Sequence, residues 1–312
     1  FIIILDFYNI KLDISMYKTI SFYEFNALDS SKIKNNQKKL SIKCKELNIK
    51  GTIILAEEGI NGTISGSFKN IDYINDFLIN IGYLANIKTS FSKKTPFKRL
   101  KVKIQPEIVT FLELGKFASN TGDFIEPEEW DDFIKNKDVQ LVDVRNFYET
   151  VIGKFPDSID PNTETFIEFK TFVDDELIKL KNKKIAMYCT GGIRCEKASS
   201  YMKDIGFENV FQLKGGIINY LNTIKKSKGS WKGECFVFDD RVSLDYESKV
   251  GKFELCHGCR NPIDSQDKKS IYFELGVSCP NCINIRSDIQ NEKSRQRQAQ
   301  INFTKNRKKN NL

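Results

Sequence analysis

The run KIAMYCTGGIRCEKASSYM, residues 184–202, decides the fold of the middle of the chain. Ile185 to Tyr188 is apolar and strand-like. Cys189 follows it into a loop holding Gly191 and Gly192, and an alanine- and lysine-bearing helical pattern begins at once. A strand that hands a cysteine to a glycine-containing turn at the head of a helix predicts N–H groups curled towards sulfur, with the positive end of the helix dipole behind them. Such surroundings favour a thiolate. Arg194, five residues on, adds fixed positive charge, so the loop can lower the pKa of Cys189 and also hold an anionic group of a substrate. The alternative is a small buried hydrophobe, which is what most cysteines are, although a core cysteine requires neither glycines nor an arginine beside it. Cys195 admits two readings, a thiol facing the core or a resolving partner of Cys189. The candidate site is therefore Cys189 and Arg194 as the chemical groups, with Thr190, Gly191, Gly192 and Ile193 as an anion-binding loop.

Outward from this run, strands and helices alternate. QLVDVR is a near-continuous apolar strand of the kind parallel sheets bury on both faces, and Glu126-Pro127-Glu128-Glu129-Trp130 opens a helix with proline and acids in its first turn. A long amphipathic helix from about Thr163 to Leu180 leads into the strand before Cys189, and NVFQLKGGIINYL supplies one more strand and helix. The alternation predicts an α/β unit with a parallel sheet, its active loops gathered at the carboxyl ends of the strands. Asp143, Arg145 and Cys189 fall at such ends. Asp143 and Arg145 fit a buried ion pair as well as they fit catalysis, with Glu149 able to join the network, so they stay outside the catalytic set.

Upstream, Tyr17 to Phe111 follows the order βαββαβ, which predicts a ferredoxin-like sandwich. Its helices begin at DSSKIKNN, where an aspartate and serines can cap, and at FKNIDYIN. Glu58-Gly59-Ile60-Asn61-Gly62 is expected to be the hairpin turn, on the strength of its Asn-Gly pair. From Lys88 to Lys103 seven basic residues occur with no acid and with Phe91 and Phe97 interleaved. That pattern fits either a solvated strand face or phosphate contacts with aromatic stacking, and it makes Lys93, Lys94, Lys98, Arg99 and Lys101 candidate RNA contacts. The glycine and polar content near residues 114–123 marks a linker.

Downstream, Cys256 and Cys259 are followed, after nineteen intervening residues, by Cys279 and Cys282. Two CxxC knuckles at this spacing predict a four-thiolate structural zinc site, against the alternatives of reducible disulfides or free thiols. Cys44 and Cys235 read as core residues. His257, the one histidine, lies inside the first knuckle, which excludes a Ser-His-Asp triad, a Cys-His dyad remote from the knuckle and a two-histidine iron site. No Walker loop and no GxGxxG after a strand occur, so neither flavin nor nicotinamide is indicated.

The length, 312 residues, allows two or three domains, and 29% charged with 40% hydrophobic residues describes an ordinary water-soluble chain. The formal net charge of +8 is unevenly placed, with eight basic residues from Arg286 onward against Asp288 and Glu292. Two basic segments on one chain point towards nucleic acid. Paired CxxC units without a secretory signal argue for a reducing compartment, and FIIILDF is far too short to span a membrane, so a cytoplasmic protein with no membrane and no obligate protein partner is expected.

CTGGIRC at the end of a strand resembles the active-site loop of the rhodanese superfamily, whose cysteine carries a persulfide, and Asp143-Val144-Arg145 resembles that fold's aspartate-arginine element. The longer string MYCTGGIRCEKAS, residues 187–199, together with AEEGINGTISG, WKGECFVFDDRV and CHGCR, resembles the rhodanese-related tRNA uridine hydroxylases. These are bacterial enzymes that form 5-hydroxyuridine at the tRNA wobble position using oxygen. The match runs from about Met16 to Cys282. The resemblance implies hydroxylation of the wobble uridine with Cys189 in the chemistry, molecular oxygen as co-substrate, the tRNA anticodon loop as partner, and an AEEGING stretch that faces RNA. The expected organisation is an extension over residues 1–15 without ordered packing, a ferredoxin-like domain over 16–115, a rhodanese-like domain over 120–228, a cysteine-rich segment over 229–290 and a basic tail over 291–312. The competing expectations are a sulfurtransferase that passes persulfide sulfur from Cys189 to a thiol or RNA acceptor, and a zinc-stabilised RNA-binding module whose rhodanese fold is catalytically idle.

Overall fold

The computed structural model describes residues 16–83, 86–112 and 120–310. The extension expected over residues 1–15 and most of the linker near 114–123 lie outside the described residues.

The amino-terminal part runs β1 (Tyr17–Phe25), α1 (Ser30–Glu46), β2 (Lys50–Ala56), β3 (Gly59–Gly66), α2 (Phe68–Asn80), β4 (Asn86–Ser92) and β5 (Leu100–Ile104). Its sheet order is β4-β1-β3-β2-β5, the ferredoxin-like arrangement with β5 added parallel to β2 at one edge. Helix starts fall on the expected caps: Asp29 accepts from the Ser31 N–H at 2.6 Å and Ser67 caps α2. Strand alternation puts Ile20, Phe22, Ile53, Leu55, Ile60 and Ile64 in a core with Leu40, Cys44, Ile71 and Ile74 of the helices. Ser21, Tyr23, Thr63, Asn61 and Lys88 are cross-strand neighbours on the alternate positions, and they form one wall of a cavity.

The expected Asn61-Gly62 turn is a correction. Both residues sit inside β3, opposite Tyr23 and Phe22 of β1, and the chain reverses at Glu57-Glu58 instead. Gly62 is needed for packing rather than for turning, because a Cβ there would come within 2.6 Å of the Phe22 ring. Gly59, with φ of 145°, takes the conformation the reversal requires.

The middle of the chain runs β6 (Asp123–Ile125), α3 (Pro127–Ile134), β7 (Val139–Asp143), α4 (Phe147–Thr150), β8 (Gly153–Lys154), α5 (Phe166–Asp175), β9 (Lys184–Tyr188), α6 (Ile193–Asp204), β10 (Val210–Leu213) and α7 (Gly216–Thr223). The sheet β6-β10-β9-β7 is parallel throughout. Trp130, Phe155, Tyr188, Tyr220 and Trp231 fill one side, and Phe169, Val173, Met187, Ala198 and Met202 the other. The helix expected over Thr163 to Leu180 is two pieces: α5 stops at Asp175, and a single tight turn follows at Leu177–Leu180. Asp174, Asp175 and Glu176 together oppose the negative end of the helix dipole, which ends α5 there.

Beyond α7, β11 (Lys232–Gly233) pairs with β8, and β12 (Cys235–Phe236) pairs with β13 (Ser243–Leu244). Trp231, Cys235, Val237, Leu244 and Tyr246 belong to the same core as the parallel sheet. Only the later stretch, with β14 (Glu254–Leu255) and β15 (Pro262–Ile263), gathers around the four knuckle cysteines. The basic carboxyl-terminal stretch is a helix, α8 (Asp288–Asn310). No helix among the described residues is long and apolar enough to cross a membrane.

The two sheets are bolted together at Lys197 of α6. Its buried Nζ donates to Glu58 Oε2 at 2.8 Å and Oε1 at 3.0 Å, to Glu107, and to the Val109 carbonyl at 3.2 Å. Glu58 lies in the AEEGING stretch, and its carboxylate faces α6 while Asn61 and Gly62 of the same stretch line the cavity beside Tyr23 and Lys88.

Candidate active site

β9 ends at Tyr188 and delivers Cys189 to the cradle that the sequence predicts. Gly192 precedes α6 with φ of 102°, and its N–H donates to Cys189 Sγ at 3.1 Å. A Cβ on Gly192 would lie 2.7 Å from the Tyr23 hydroxyl, so the glycine also lets the amino-terminal sheet come this close. Burial pushes the Cys189 thiol up, but the Cys195 thiol, the Arg194 charge and the N–H groups of Cys195 and Gly192 bring its pKa down to about 5. Cys195 is fully buried in the core and its own pKa is raised, mainly by burial. It keeps its proton and donates it to the neighbouring sulfur.

Arg194 is held by a residue the sequence analysis left outside the catalytic set. Glu149 of α4 receives it bidentately, Nη1 to Oε1 at 2.5 Å and Nη2 to Oε2 at 2.7 Å, and also accepts from Thr190 Oγ1 at 3.2 Å. Arg194 thus acts on the thiolate through its charge while its fork is occupied. Asp143 and Arg145 form a second, fully buried pair at 2.6 Å, with Arg145 also donating to the Glu149 and Gly153 carbonyls. That pair ties the end of β7 to α4 and β8 and is not among the residues that line the cavity.

The cavity over Cys189 has a volume of about 470 Å³. One wall is the loop with Thr190, Gly191, Ile193 and Arg194, a second is the β1–β3–β4 face with Tyr23, Asn61 and Lys88, and a third is Val237 to Asp239 with Arg241. Arg241 fixes the third wall, pairing with Asp239 at 2.6 Å and donating to Ser90 Oγ at 2.6 Å. Phe238, 64% exposed at the mouth, carries Arg194 at 5.9 Å from its ring centroid. Tyr23 donates to Glu196 Oε1 at 2.6 Å, and burial raises the pKa of both.

Next to this cavity lies a second hollow of about 620 Å³, which shares Phe97, Tyr148 and Phe238 with it and carries Lys98, Arg99, Lys101 and Arg260. Three of the five expected RNA contacts therefore come together. Lys93 and Lys94 sit exposed after β4 and line neither hollow. The sequence reads Glu149 as able to join the Asp143–Arg145 pair and Lys88 as one member of a basic run, and it singles out neither Tyr23 nor Phe238.

The knuckle sulfurs of Cys256, Cys259, Cys279 and Cys282 all lie within 4.8 Å of one another, with Cys259–Cys279 at 3.7 Å, Cys279–Cys282 at 3.8 Å and Cys256–Cys282 at 4.0 Å. A tetrahedron with metal–sulfur distances of about 2.3 Å has edges of about 3.8 Å, so the four thiols fit a closed four-sulfur metal site. The Gly258 and Cys279 N–H groups donate to Cys256 and Cys282 sulfurs at 3.3 Å, as second-layer donors to thiolates do.

The Cys189 thiolate yields a direct test. The 240 nm absorbance difference between wild type and Cys189→Ser is expected to titrate with a midpoint near 5; a midpoint above about 8 would contradict the cradle. Since the folded thiol holds its proton less tightly than the unfolded one, this linkage favours the fold increasingly as pH rises from about 5 towards the ordinary thiol range, and is lost as pH falls through 5.

A parallel sheet with a cradled thiolate at the carboxyl end of an interior strand defines a rhodanese-type cysteine domain. The model of the rhodanese-like domain matches residues 126–223, and that of the UPF0176 acylphosphatase like domain matches residues 17–108. A tRNA uridine(34) hydroxylase of Picosynechococcus sp. is 47% identical over 270 residues, 86% of this chain and 90% of the relative. The chain belongs to the tRNA uridine(34) hydroxylase family. Among solved structures, a rhodanese-like domain from Anabaena sp. is 20% identical over 36% of this chain and 80% of its own, with a TM-score of 0.30. A rhodanese-like domain protein from Staphylococcus aureus is 27% identical over 31% of this chain and 90% of its own, with a TM-score of 0.27.

Proposed function

We propose that this protein hydroxylates C5 of the wobble uridine of tRNA, with Cys189 as the nucleophile. The observation that carries the reading is the thiolate cavity, closed by three separated parts of the chain and opening beside a hollow that carries Phe97, Phe236 and Phe238 with Lys98, Arg99, Lys101 and Arg260 among the acids Glu164, Asp239 and Asp240. An unstacked base can enter the cavity past Phe238 while Lys98, Arg99, Lys101 and Arg260 hold the flanking phosphates of the anticodon loop. Cys189 Sγ would add to C6 of the uracil, placing enolate character on C5, with the loop amides and Arg194 favouring the reactive thiolate. Molecular oxygen is the proposed co-substrate: one atom enters at C5, and the other leaves as water with two electrons and two protons from an external reductant. A tRNA substrate supports a cytoplasmic location. The closed four-sulfur set supports zinc as the resident ion, with a structural role because no position is left open for substrate.

The test is nucleoside mass spectrometry on tRNA from cells lacking the gene, complemented with wild type or Cys189→Ala. Loss of 5-hydroxyuridine that only the wild type restores is the expected result. Unchanged 5-hydroxyuridine in a strain without a redundant pathway, with altered thiolated nucleosides instead, would overturn it in favour of sulfur transfer.

A further inference from the structure

One buried cation faces the Cys189 cavity with no hydrogen-bonded anion among the described residues. Lys88 stands on β4 opposite Ser21 and is 8% exposed, yet among the described residues its Nζ has no hydrogen-bond partner. It lies 4.7 Å over the ring of Tyr23, whose hydroxyl is tied to Glu196 of α6. Burial holds its pKa down to about 8, with Cys189 and Glu196 pulling weakly the other way. A desolvated ammonium with no anion in contact opposes folding, so the molecule carries a donor whose partner is missing. Lys88 and Cys189 line the same cavity, one from each sheet. A lysine suits this place, since its compact ammonium is a point donor that can follow a shifting charge.

We propose that Lys88 is a further catalytic residue, its Nζ donating to the ring carbonyl oxygen of the uracil on which negative charge collects when Cys189 Sγ bonds to C6. This rests on the function proposed above. In the step, the thiolate pair forms the S–C6 bond, the C5=C6 π pair moves to C4–C5, and the C4 carbonyl pair moves to O4. Lys88 meets the resulting oxyanion with a hydrogen bond or a proton. Nothing is oxidised or reduced. Tyr23 is a positioning residue that carries the ammonium above its ring while Glu196 fixes its hydroxyl. Without oxygen the enolate takes a deuteron from heavy water at C5, the original C5 proton is then lost to solvent to restore the enolate, and the thiolate leaves as the C5=C6 bond re-forms, so the protein exchanges the C5 hydrogen of its target uridine.

The experiment follows deuterium entering C5 of the wobble uridine in an anticodon stem-loop, under argon in heavy water, with the full-length protein. Wild type is expected to exchange, and Lys88→Met to exchange about 10²–10³-fold more slowly with stem-loop affinity within a few fold. Lys88→Arg should recover part of the rate. A structural lysine would lower the melting temperature on replacement; here Lys88→Met should not, because an apolar chain replaces an unpaired charge. Exchange by Lys88→Met at the wild-type rate, with none by Cys189→Ala, would overturn the role of Lys88 and leave the cysteine reading standing. Exchange by Cys189→Ala at the wild-type rate would overturn both. A wild type that hydroxylates in air yet exchanges nothing under argon would overturn the addition step while sparing the activity.

Discussion

Removing the metal proposed at Cys256, Cys259, Cys279 and Cys282, or replacing Cys282 with serine, is expected to unfold residues 254–310 while the rest of the molecule keeps its main thermal transition. The small core around the four sulfurs contains little else, chiefly Ile263 and Phe273, while Ile271 and Ile285 are 91% and 82% exposed. Such a segment has too little apolar burial to offset its ordering entropy, and structural zinc contributes about 10–16 kcal/mol in comparable peptides. Helix α8 should go with it, because what pins the helix is the knuckle. Arg286 donates to the Gly258 carbonyl at 2.7 Å, Arg297 to the His257 and Gly276 carbonyls, and Arg295 pairs with Glu274 at 2.7 Å. Limited proteolysis before and after chelation is the measurement, with cleavage confined to the region beyond residue 254 as the expected outcome. An unchanged digestion pattern in protein shown to be metal-free would contradict it.

The second large effect is expected at the bolt between the sheets. Lys197→Met removes the ammonium but leaves Glu58 and Glu107 buried side by side. Breaking one member out of a buried ionic cluster costs about 3–5 kcal/mol, enough to lower the melting temperature by several degrees. The pH dependence gives the prediction its sign. Burial pushes the Glu107 carboxyl up, but Lys197 and the Leu112 and Phe111 N–H groups outweigh it and hold the pKa below the ordinary value. Its stabilisation is therefore present above the ordinary carboxylate range and lost as pH falls through the folded pKa. The deficit of Lys197→Met should accordingly be larger at pH 7 than near pH 4, where the stranded Glu107 carboxylate can take a proton. Melting curves at the two values decide it, and equal deficits would show that the cluster contributes through packing alone.

How much of this was legible in the sequence depends on the range of the interaction. The strand, cradle and helix around Cys189 are local, and glycine, arginine and periodicity suffice to read them. The ferredoxin-like order follows from element sequence, and the two knuckles follow from spacing. Glu149 is different, since it lies forty-five residues before Arg194 and meets it only because β7 and β9 are neighbours. Lys88 was counted with a basic run, where its neighbours Lys98, Arg99 and Lys101 do line an open hollow; a strand's alternation turns Lys88 inward, and nothing in the run marks that residue as different. Asn61-Gly62 misled for a physical reason. The pair is a turn signal only where nothing else requires the small residue, and here the Phe22 ring requires it.

The three-walled cavity also has an order of assembly in time. The groups that make Cys189 acidic, Gly192, Arg194 and Cys195, leave the ribosome before Val237 to Arg241, which close the last side. At about 5–20 residues per second the interval is a few seconds. A nascent chain whose cradle forms within that interval presents an activated sulfur with one side still open, and a thiolate in that condition is the form most easily oxidised. Synthesis under oxidative stress is thus expected to damage nascent chains at Cys189 more readily than finished ones, a vulnerability set by the sequence order of the three walls rather than by their final arrangement.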